Sequence, residues 1–86
     1  MMGQLFQQVS DERLWQMLDT PGAWLVRTDA GLLRPQHTLR EALWQAWTEN
    51  AEGGSVTSIL ELPDSDTVIE ALQIRRLTSR LVHSPK

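Results

Sequence analysis

The segment from Thr38 to Gly54 constrains this chain more than any other. Thr38-Leu39-Arg40-Glu41 has the Thr-x-x-Glu spacing of a capping box. Leu39, Ala42, Leu43, Ala46 and Trp47 then recur at the spacing that lines one face of an α-helix. Gly53-Gly54 is a strong stop signal. A helix over about residues 39–51 therefore follows, and its apolar stripe must be buried against another layer.

The flanking segments supply that layer. Residues 23–28 read Ala-Trp-Leu-Val-Arg-Thr, rich in strand formers, with Trp24 and Val26 on one face and Leu25 and Arg27 on the other. Asp29-Ala30-Gly31 is a turn, in which Gly31 can take positive φ. Leu32–Arg34 would return antiparallel until Pro35 removes a donor from the ladder. After the helix, Val56, Ser58, Leu60 and Leu62 alternate with Thr57, Ile59 and Glu61 in a third strand, and residues 63–66 form a turn.

A shorter helix is expected earlier, over about residues 11–19. Ser10 is a good N-cap, Asp11 and Glu12 suit the positive end of the helix dipole, and Val9 and Leu14 have the spacing of a hydrophobic staple. Leu14, Trp15 and Leu18 form its apolar face, and Thr20-Pro21-Gly22 ends it. Residues 1–9 read as an N-terminal arm and residues 83–86 as a tail.

The last segment admits two readings. Thr67–Glu70 matches a second capping box, and Ala71, Ile74, Leu77 and Leu81 keep helical spacing, so a helix over about 68–82 is preferred. The competing reading pairs 67–72 with 55–62 and starts the helix at Gln73, which the β-branched Val68 and Ile69 favour. The order is therefore α-β-β-α-β-α, or the same with a fourth strand before the last helix. Either gives an α+β fold: one domain over 1–86, with a three- or four-stranded antiparallel or mixed sheet and helices on one face.

Size and composition bound what such a domain can do. With 86 residues it supports one modest core; scaling of surface with mass has it burying roughly 64% of the unfolded chain's area. The absence of cysteine rules out disulfides and thiolate metal sites and fits a reducing cytoplasm. The opening residues lack the pattern of a signal peptide, and no apolar run is long enough to span a bilayer, so a cytoplasmic protein without membrane contact is expected. Net charge is −3, and it is unevenly spread: Glu49, Glu52, Glu61, Asp64, Asp66 and Glu70 fall in a stretch without a base, whereas Arg75, Arg76, Arg80 and Lys86 fall in one without an acid.

No catalytic or nucleotide-binding motif emerges. Neither a glycine-rich phosphate loop nor a nucleophile elbow is present, and neither His37 nor His83 has a carboxylate or second histidine at ligand spacing. Asp64, Asp66 and Glu70 lack the glycine and the further oxygen ligands of a calcium loop and read as a solvated turn. The distinctive feature is the four tryptophans. Trp15, Trp24 and Trp47 fall on expected core faces. Trp44 lies about 120° from the centre of its helix's apolar stripe; it is either a half-covered flanking residue or an anchor for a partner, a role in which tryptophan is enriched. Arg76 and Arg80, at i and i+4 on the last helix with Arg75 at their flank, either face phosphates or answer the helix dipole and the neighbouring acids.

These features lead to the expectation of a non-enzymatic protein-interaction module, accessory or regulatory in kind, without cofactor or metal. Its partner would be another protein or a second copy of itself, met through Trp44 and the Arg40 flank, or through the Arg76 and Arg80 face of the last helix. The alternative is a nucleic-acid-binding module using Arg75, Arg76 and Arg80, which the acidic net charge and the lack of aromatics near those bases disfavour.

Overall fold

Each of the first two helices begins where a side chain satisfies an orphan backbone donor. Ser10 Oγ accepts from the Arg13 amide at 3.1 Å and opens α1 (Asp11–Gln16). Thr38 Oγ1 accepts from the Glu41 amide at 3.2 Å and opens α2 (Leu39–Ala51). The capping box there is displaced by one residue: Glu41 Oε1 takes the His37 amide, at 3.2 Å, instead of the Thr38 amide. At the other end of α2, Gly53 adopts φ +99°; its amide reaches Asn50 O at 3.2 Å and the Gly54 amide reaches Glu49 O at 2.9 Å. This is the Schellman pattern, in which a left-handed glycine lets the chain turn back on the last helical carbonyls. Asn50 Oδ1 then accepts from the Val56 amide at 3.0 Å and ties the helix end to the next strand.

The computed structural model describes residues 9–63 and 67–83. Residues 1–8 of the expected arm, 84–86 of the expected tail, and Asp64 and Asp66 lie outside them. Four strands form one antiparallel sheet: β1 (Ala23–Thr28), β2 (Gly31–Leu32), β3 (Val56–Leu62) and β4 (Val68–Glu70), in the order β2-β1-β3-β4. The third helix, α3, spans Ala71–His83.

Three expectations need correction. The helix preferred over 68–82 begins only at Ala71, because Val68–Glu70 pair with Ser58–Leu60. Pairing places the β-branched Ile69 in the core with no exposed surface, which outweighs the local capping signal. The first helix ends at Gln16 rather than Asp19, its last amides turning more tightly onto Leu14 and Trp15 carbonyls. The hairpin's return strand is only Gly31–Leu32. The Leu33 amide still bonds Val26 O, and Trp24 and Gln36 exchange both backbone bonds, but Arg34-Pro35 interrupts the ladder.

The helices cover one face of the sheet, as expected. Trp24, Val26, Ile59 and Ile69 point into that layer and meet Leu14 and Leu18 from the first helical unit, Leu39, Leu43 and Ala46 from α2, and Ile74, Leu77 and Leu81 from α3. Burying each large apolar side chain contributes on the order of 1.5–3 kcal/mol. Val9 packs against this core, and its carbonyl accepts from Gln73 Nε2 at 2.8 Å. Among the described residues, no helix is long and apolar enough to cross a membrane.

Candidate protein-binding surface

The arginines singled out from the sequence are brought against carboxylates of the chain itself. Arg76 forms a two-pronged pair with Asp11, Nε to Oδ2 at 2.8 Å and Nη2 to Oδ1 at 3.1 Å, and Gln73 Nε2 adds a third bond to Asp11 Oδ1 at 2.7 Å. Arg80 Nη1 donates to Glu12 Oε2 at 2.8 Å, and its guanidinium lies 4.2 Å from the Trp15 ring centre. Arg40 grips Asp19 in the same two-pronged way, at 2.7 and 2.9 Å. These contacts fasten α1 and the turn after it to α3 and α2. The Arg76 guanidinium first, then the Gln73 amide, holds the Asp11 carboxyl below the usual aspartate range; Arg40 does the same for Asp19.

Arg75 is the α3 arginine left without an ion pair among the described residues. It faces a shallow open groove of about 460 Å³ between the end of α2 and α3. Trp47 and Asn50 line one side, and Arg75, Thr78, Ser79 and His83 the other. No carboxylate is among its lining residues. His83 Nδ1–H donates to Ser79 O at 2.8 Å, so Nε2 is the ring atom left for other contacts.

Beside this groove stand two exposed tryptophans. Trp44 is 39% exposed, as its position off the apolar stripe implies. Trp47 is 43% exposed, which corrects its expected place in the core. The fully buried stripe of α2 is Leu39, Ala42, Leu43 and Ala46; at about 100° per residue Trp47 lies about 90° from its centre, on the rim rather than beneath it. The two rings meet edge to face, with centroids 5.9 Å apart and planes at 81°, a geometry favoured by the ring quadrupoles. Trp24 is buried as expected, and Trp15 is half-buried, packed on the core under Arg80. Trp47 is thus the site residue that sequence reasoning placed wrongly; only the width of the buried stripe, which needs the sheet's position, could have revealed it.

The remaining candidates do not converge. His37 and His83 lie in separate parts of the fold, and among the described residues no three histidine or carboxylate side chains gather as a metal site would require. Gln45 Oε1 and Ser58 Oγ are buried without a hydrogen-bond partner among the described residues. No family model matches the sequence, and neither a curated protein nor a solved structure is significantly similar to it.

Proposed function

We propose that the protein is a binding module that recognises another protein through the Trp44–Trp47 pair and the adjoining α2–α3 groove. The observation that carries this reading is the pair itself. Two large rings stand about two-fifths exposed side by side on one helix, where a monomer gains nothing from leaving them wet. Tryptophan at the centre of an interface contributes more binding energy than most residues. Arg75, His83 and the hydroxyls of the groove suit a partner segment that places an apolar side chain on the rings and a carboxylate in the groove.

The nucleic-acid reading draws less support. Arg76 and Arg80 would have to leave Asp11 and Glu12 to meet phosphates, which offsets much of the gain. The test is affinity capture with the tagged chain and with its W44A and W47A forms. Partners retained by the wild type and lost from both variants, with unchanged circular dichroism, support the proposal. Partners retained equally by all three sink it, and so does capture of nucleic acid that depends on Arg76 and Arg80.

A further inference from the structure

The sheet has a second face, away from the helices. Residues directly opposite in an antiparallel pair project to the same side. The register therefore puts Ala23 beside Leu62, Leu25 beside Leu60, and Leu60 beside Val68 on that far side. Leu25, Leu60, Leu62 and Val68 are half-buried and take no part in the core, while Val26, Ile59 and Ile69 on the same strands are fully buried in it. At one end of the strands this apolar patch gives way to a row that runs Leu32, Arg27, Ser58, Glu70 from β2 to β4. Arg27 and Glu70 thus lie two strands apart, about 10 Å, and make no ion pair with each other.

We propose that this face is the contact between two copies of the chain, packed sheet on sheet about a two-fold axis that runs along the strands between β1 and β3. Charge decides the axis. Rotation about the strand direction lays β1 on the partner's β3, so Leu25 meets the partner's Leu60 and the apolar rows stack. The same rotation offsets Arg27 from the partner's Glu70 by one strand across the sheet, with both side chains projecting into the layer between the two sheets, and this happens twice. An axis across the strands would instead press Arg27 and Glu70 onto the partner's apolar row, leaving both charges uncompensated. The sheet edges offer little alternative: β2 has two residues and β4 has three, too short to template an added strand. Aligned packing of this kind is a standard way for two sheets to bury their faces. The Trp44–Trp47 pair sits on the helix layer, on the opposite side of the sheet, so partner binding and self-association do not compete.

The area sets the strength. The four strands hold two, six, seven and three residues, a footprint of about 290 Å² per copy before corrugation. That is well below the size of a stable interface, so the dimer should be weak and form only at high micromolar concentration or above. Sedimentation equilibrium should show an average mass that rises from the 9.8 kDa of one chain towards twice that value as concentration increases. L60K should hold the mass at one chain. R27E alone and E70R alone should each weaken association at least ten-fold, because like charges then face each other. An equimolar mixture of R27E and E70R should recover the mass of a pair, since positions 27 and 70 then carry opposite charges at both crossings between the two copies. This last arm does not depend on the folding of L60K. A wild-type mass of one chain at every concentration overturns the proposal. A dimer untouched by L60K, or a mixture that fails to recover the pair, overturns it as well.

Discussion

Gly53 and Thr38 show how single residues set the ends of the helix that carries the tryptophan pair. Gly53 holds φ +99°, and a Cβ there would meet no atom within 4 Å. The cost of Gly53→Ala is therefore conformational rather than steric, about 1 kcal/mol for a non-glycine residue in the left-handed region. Thr38→Ala removes the oxygen that accepts the Glu41 amide, for a similar loss of about 1 kcal/mol. Urea denaturation followed by tryptophan fluorescence should show both midpoints lowered with little change in slope. A Gly53→Ala midpoint at or above the wild type would contradict the role given to that glycine. Arg40→Ala is the contrasting case. Its pair with Asp19 is solvent-exposed, so stability should change little, and any loss of partner capture would then be a direct effect on binding.

Among the elements, α1 depends on its anchors. It has only six residues, too few to persist alone. It is held by Leu14 in the core and by Asp11 and Glu12 on Arg76 and Arg80. Asp11 has a lowered pKa in the folded protein, so it binds its proton more readily when unfolded. Its stabilising contribution is therefore complete above the ordinary aspartate value of 3.8 and is lost as pH falls below that value and through the depressed one. Stability measured from neutral pH down to about pH 3 should fall more shallowly in D11N than in the wild type; equal slopes would show that the Asp11 cluster does not couple to folding. The elements also differ in how far the sequence revealed them. Residues 39–51 and 56–62 were legible because cap, period and stop agree there. Residues 68–70 were half legible: Val68 and Ile69 favour a strand, Thr67 and Glu70 imitate a helix cap, and only the β3 edge, distant in the pattern, decides between them. The candidate site was half legible for a related reason. Trp44 stands outside any apolar stripe that can be drawn on α2, whereas Trp47 extends the periodicity and is excluded only by where the sheet ends. The partners of Arg40, Arg76 and Arg80 lie 21 to 68 residues away in sequence, and no local pattern announces such a pairing.

At the scale of the whole molecule, one sheet separates a closed core from a half-covered apolar face, and adjacent residues of β3 report on each. Ile59 points into the helix layer with no exposed surface, and Leu60 points away from it. Ile59→Ala opens a cavity in the only core the described residues form, at a cost of about 2–5 kcal/mol. A domain of this size holds on the order of 5–10 kcal/mol in total, so this variant should be close to unfolding. Leu60→Ala removes a side chain that one copy alone covers only in part, so in dilute solution it should cost far less. The ordering changes in kind as copies meet. Association adds stability in proportion to the occupied interface, so the wild-type midpoint should climb with protein concentration. The Leu60→Ala midpoint should stay flat, and the Ile59→Ala midpoint, low throughout, should still climb. Chemical denaturation at several concentrations distinguishes the two faces directly. A Leu60→Ala protein whose midpoint rises in parallel with the wild type would place the self-contact somewhere other than the half-covered face of the sheet.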